Sequence, residues 1–143
     1  MKKAELLAEQ SRLLMLANDI SRKHWGVDYT GTFELVNRHW RSQFGQFHHR
    51  PDKSVQMIRM SAATNAERTP EEVERTLTHE LVHWRLFTLD QPFRDYNDEF
   101  IAECIRVGAS ISKTRIAQDA YQRYMYKREF EELTGRKFTE VSA

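Results

Sequence analysis

Cysteine is nearly absent. Cys104 stands alone in 143 residues, which excludes an intrachain disulfide and any multi-cysteine zinc ribbon. Glycine (5) and proline (3) are scarce, so collagen-like and low-complexity character is excluded. No apolar run approaches the roughly 20 residues of a membrane span. The basic start, Met1-Lys2-Lys3, is followed by Glu5, Glu9 and Gln10 rather than by the apolar stretch of a signal peptide. The expectation is a soluble, reduced, cytoplasmic protein with no membrane partner.

What is present is enough for one core. Hydrophobic residues make up 40% of the chain and charged residues 30%, with eight Phe, five Tyr and three Trp. That bulk argues against wholesale disorder, and the length suits a single domain over 1–143. Net charge is +1, so no global field selects a partner. Locally, 90–103 holds five acids and one Arg, and it lies between two stretches in which Lys and Arg outnumber acids.

The pattern predicts an α+β fold. Leu6, Leu13, Leu14, Ala17 and Ile20 recur at helical spacing over 3–24. Short alternating runs then predict a small antiparallel sheet with strands at about 33–38, 42–49 and 54–60. Thr69-Pro70-Glu71-Glu72 is a capping box on a proline start, opening a helix to about Phe87. On that helix Val73, Leu77, Leu81, Trp84 and Phe87 share one apolar face, while Val82 and Leu86 lie nearly opposite. Glu74, Thr78 and Arg85 form the wet strip. A helix apolar on most sides belongs in the middle of its domain. Asp90-Gln91-Pro92 breaks the chain, and two further helices follow, at about 97–107 (stopped by Gly108) and 114–133.

The central helix carries His79-Glu80-Leu81-Val82-His83. Two His one turn apart lie on one helical face and can converge on one metal ion. Glu80 projects about 100° around the helix from His79, beside the ion rather than on it, as suits a base acting on water. Catalytic Zn²⁺ needs a third protein ligand, and no His follows position 83. The acidic stretch offers Asp95, just ahead of the next helix, and Glu103, between Phe100, Cys104 and Val107. Asp95 could instead satisfy helix N-terminal amides, and Glu103 could pair with Arg106 or Arg115.

Residues 33 to 108 resemble the SprT-like metallopeptidase family. The resemblance is carried by Phe33 to Arg38, by Val55 to Met60, by Thr78-His79-Glu80-Leu81-Val82-His83-Trp84, and by Pro92 to Phe100. In that family the third zinc ligand is a His shortly before an acidic-aromatic pair, here Glu99-Phe100, and Asp95 takes the place of that His. Glu103 remains the alternative: it lies twenty residues after His83, a spacing similar to thermolysin-like zinc peptidases. The C-terminal zinc ribbon of longer family members is missing, and 111–143 is a helical extension with no counterpart. The resemblance implies a minigluzincin-like fold in which substrate is held as an added strand on a sheet edge, with Val55 to Met60 as the expected edge.

The function this implies is a zinc metallopeptidase. Zn²⁺ held by His79, His83 and a carboxylate activates water, and Glu80 is the general base. The substrate is an extended or unfolded protein or peptide. His48, His49, Arg94 and Tyr96 are candidates for stabilising the oxyanion. The alternative is an inactive SprT-like scaffold acting as a protein- or DNA-binding module. A DNA partner is suggested by two mixtures of bases and aromatics: Arg38, His39, Trp40, Arg41 and Phe44, and Tyr121, Arg123, Tyr124, Tyr126, Lys127 and Arg128.

Overall fold

The computed structural model describes residues 1–139; the end of the expected C-terminal extension, 140–143, lies outside them. The element order is α1 (Lys3–Trp25), β1 (Thr32–Val36), β2 (Gln46–His49), β3 (Gln56–Ser61), α2 (Ala62–Asn65), α3 (Pro70–Thr88), α4 (Asp98–Val107) and α5 (Arg115–Thr134). The architecture is α+β, as expected. The one-turn helix α2 has no counterpart in the sequence reading. No helix among the described residues is long and apolar enough to cross a membrane.

The sheet is mixed rather than purely antiparallel. Its order is β1-β3-β2, with β1 parallel and β2 antiparallel to β3. Apolar alternation reports which face of a strand is buried but not the direction of its neighbour. After β1 the chain crosses to the far edge through 37–45. It is pinned there by Trp40, whose backbone N–H donates to Thr64 Oγ1 at 2.8 Å. It then returns through a hairpin into the centre. The strand 55–60 is therefore central, paired on both sides, and is not an edge. The edges are β1 and β2.

Helix α3 is the middle layer. The capping box forms as read: Thr69 N–H donates to Glu72 Oε1 at 3.0 Å and Glu72 N–H to Thr69 Oγ1 at 3.1 Å. One face of α3, with Leu77, Leu81 and Trp84, packs on the sheet residues Ile58 and Met60 and on Leu13 and Ala17 of α1. The opposite face, with Val82 and Leu86, packs on Phe100, Cys104 and Val107 of α4. This double burial explains why the sequence shows two apolar faces. Thr78, expected on the wet strip, is buried, and its hydroxyl donates to Glu74 O at 2.8 Å.

The hairpin tip is tied to the end of α3. Lys53 and Asp90 both adopt positive φ (65° and 56°), and Lys53 Nζ lies 2.8 Å from Asp90 Oδ1. With Trp84 Nε1 donating to Gln56 Oε1 at 3.0 Å, these contacts hold β2 and β3 along α3.

Candidate metal centre

His79 and His83 project from the middle of α3 toward the loop that precedes α4. Each ring is oriented by a backbone carbonyl. His79 Nδ1–H donates to Ser110 O at 2.6 Å, and His83 Nδ1–H donates to Phe93 O. With the proton on Nδ1, each Nε2 presents a lone pair. Both lone pairs face one atom: Asp95 Oδ1 lies 3.1 Å from His79 Nε2 and 3.0 Å from His83 Nε2. Three acceptors meeting at one point need a positive charge among them. That charge is either a proton on an imidazole or a metal ion in place of it.

The electrostatics follow from this geometry. Burial opposes charging of His79, but hydrogen bonds to Asp95 and Cys104 and the charge of Glu80 outweigh it, raising its pKa well above the ordinary value. Burial likewise opposes ionisation of Asp95, and the hydrogen bonds from His79 and His83 overcome it, holding the carboxyl well below the usual carboxylate range.

Glu80 completes the cluster. One ligand atom each from His79, Glu80 and His83 lies within 4.8 Å of the others, and such a group can hold a metal ion. Asp95 approaches from the other side, one of its oxygens touching both Nε2 atoms. Glu80 instead turns toward the start of β2. A β-carbon added at Gly45 would lie 2.9 Å from Glu80 Cγ and 3.1 Å from its Oε1.

Glu103, the alternative ligand, is engaged elsewhere. Its Oε2 accepts from Trp25 Nε1 at 2.9 Å, and Arg106 grips both oxygens. The Arg106 hydrogen bonds, against some burial and helped by Trp25, lower its pKa.

Two further residues shape the centre: Phe100, which the sequence marks only as part of the acidic-aromatic pair and as a neighbour of Glu103, and Ser110, which the sequence does not mark. Phe100 is buried and stacks on His83 with centroids 4.1 Å apart, and it meets His79 edge-on at 5.0 Å. The signal for Phe100 was its place on the apolar face of α4. Ser110 contributes a carbonyl, and no side-chain pattern betrays that.

The centre opens into a cavity of about 1110 Å³. Gly45 and β2 (Gln46–His49) line it, as does the loop 108–114. His48, His49, Arg94 and Tyr96 all line it. His48 Nε2 is 2.7 Å from Gln46 Oε1, while the buried His49 Nδ1 has no hydrogen-bond partner. Burial first, and then the charge of Arg94, lower the His49 pKa.

The two mixed basic and aromatic stretches are partly committed to structure. Trp40 is buried, His39 is 2.9 Å from a carboxylate oxygen of Glu67, and Phe44 lies under Arg68. In α5, Arg128 lies over Tyr124, and Lys127 pairs with Asp98 at 3.2 Å. Compared with protein-family models, with curated proteins and with solved structures, the chain finds no match.

Proposed function

We propose that this chain is a zinc-dependent metallopeptidase of the SprT-like kind, acting on extended polypeptide. One observation carries the reading: the Nε2 lone pairs of His79 and His83 and Asp95 Oδ1 converge, with Glu80 beside them. Two imidazoles and one carboxylate suit Zn²⁺, and His79, His83 and Asp95 are the residues that would hold it. When bound, the ion supplies Lewis acidity, making water more acidic and drawing electron density from a carbonyl.

The chain's own groups supply the rest. Glu80 accepts a proton from water on its carboxylate and returns it to the departing amine. Its position against Gly45 places it on the β2 side of the centre, where the substrate backbone would pass. As an edge strand, β2 has backbone groups on the side away from β3 available to pair with such a backbone. His48, His49, Arg94 and Tyr96, all on the cavity, are the side chains within its reach for a second oxyanion contact.

The test is Glu80→Gln in zinc-loaded protein. Zinc content stays near one per chain, and cleavage of casein falls by about 10²-fold or more. If zinc-loaded wild type leaves casein and short unfolded peptides intact, the peptidase reading fails, and a binding role for the scaffold replaces it.

A further inference from the structure

The cavity is charged in a way that the hydrolytic centre does not require. Besides Glu80 and Asp95, whose two negative charges a divalent ion would offset, its ionisable lining includes Arg68, Arg75, Arg94, Lys113 and one acid, Glu72. The Glu72 carboxylate caps α3 through Thr69 and offsets part of the charge of Arg68 and Arg75 beside it, which leaves the lining net positive. Arg75, Arg94 and Lys113 are exposed and form no ion pair among the described residues.

These cations sit at both ends of the groove. At one end, where Gly45 meets Thr76, Arg68 lies 3.8 Å above the Phe44 ring and donates to Thr76 Oγ1 at 2.8 Å. Arg75 is one position earlier on α3. At the other end, the His49 ring packs against Phe87 and Phe93, and Arg94 lies 4.7 Å above Phe93. Lys113 lies on the loop 108–114, which also lines the groove and is tied to α3 by Ser110 N–H donating to Arg75 O at 3.3 Å. The metal ligands lie between these ends. β2 has four residues, and a strand advances about 3.4 Å per residue. A chain laid along β2 therefore meets a cation a few residues before and a few residues after its midpoint.

We infer that the groove selects polypeptide segments with acidic side chains on both sides of the bond at the metal centre. This names the substrate class of the site proposed above and rests on that reading. Polypeptide fits better than nucleic acid, because the wall between the cations is a strand edge with unpaired backbone groups. Arg68, on Thr76 near the start of α3, and Arg94, on Phe93 beside Phe87 near its end, also stand apart rather than in one stripe.

The experiment measures binding and cleavage separately. Labelled peptides of equal length carry Glu, Lys or Ser two and three residues either side of a common centre. Zinc-loaded Glu80→Gln protein is titrated with each by fluorescence anisotropy, and wild type is assayed for cleavage of the same peptides. The Glu peptide is expected to bind at least about tenfold more tightly than the Lys peptide at low salt, with the margin shrinking as salt rises. The double variant Arg75→Glu/Arg94→Glu, both positions exposed, reverses the order, while its circular dichroism matches wild type.

Equal binding of all three peptides overturns the inference, and if they are also cut, the peptidase reading stands. Preference for the Glu peptide without cleavage of any peptide supports the charge selection and overturns the peptidase reading. A single-stranded oligothymidine that outbinds the Glu peptide at the same salt, and loses its binding in the double variant, overturns the inference in favour of nucleic acid.

Discussion

Gly45 stands directly against Glu80. A β-carbon at Gly45 would fall 2.9 Å from Glu80 Cγ and 3.1 Å from Thr76 Cγ2, closer than two carbons pack. The absence of a side chain just before β2 is what lets the chain approach the carboxylate. Gly45→Ala should therefore displace Glu80 while leaving the metal ligands in place. The expected result is a fall in kcat of about tenfold or more with zinc content unchanged, since small displacements of a reacting group are costly. Unaltered kcat would mean that the Glu80 side chain gives way at no cost to catalysis.

Metal content separates the two carboxylates. His79→Ala, His83→Ala and Asp95→Ala should each release zinc during dialysis, read by mass spectrometry of the eluted protein. Glu103→Ala should retain it, because Glu103 is occupied by Trp25 and Arg106. The cost of Glu103→Ala should appear as a modest loss of stability. Zinc lost from Glu103→Ala and kept by Asp95→Ala would reverse the assignment.

The metal-free centre should respond to pH from both sides. The Asp95 carboxyl is depressed below its ordinary 3.8. Its stabilisation is therefore present above that value and is lost as pH falls. His79 is raised above its ordinary 6.5, so its stabilisation is complete below that value and fades as pH rises through the raised pKa. Urea midpoints of metal-free protein should thus contain a contribution that is largest between about pH 4 and 6.5, and Asp95→Asn should remove it. Zinc binding needs neutral imidazoles, so the added stability on loading with zinc should grow as pH rises. A metal-free stability profile identical for wild type and Asp95→Asn would contradict the pairing.

Phe100 links packing to the centre. Phe100→Ala should lower stability by about 3–5 kcal/mol through the cavity it leaves. It should also weaken zinc binding by the folded protein, because the stacked His83 ring is freed. Leu13→Ala, buried between α1 and the sheet, is the control. It should cost about 2–5 kcal/mol and leave zinc affinity unchanged, measured by competition with a chromophoric chelator. Equal effects on affinity would show that Phe100 contributes packing alone.

Local signals determined much of this protein. The spacing of His79 and His83 depends only on helical periodicity, and the Thr69 capping box needs only neighbouring residues, so both could be read from the chain. The two apolar faces of α3 announced a helix buried between layers, because burial on each side demands its own stripe. Strand direction was a different matter. Side-chain alternation is the same for parallel and antiparallel pairing, and so 55–60 passed for an edge when it is the centre. The choice between Asp95 and Glu103 also lay beyond local reasoning, because both are acids near the start or within the body of α4. Only the fold shows how differently they are placed: the loop 90–97 brings Asp95 across to both imidazoles, and Trp25 at the end of α1 meets Glu103 from 78 positions away. The carbonyls of Phe93 and Ser110 left no trace in the sequence, since every residue carries a carbonyl and only the fold decides which ones point at a histidine.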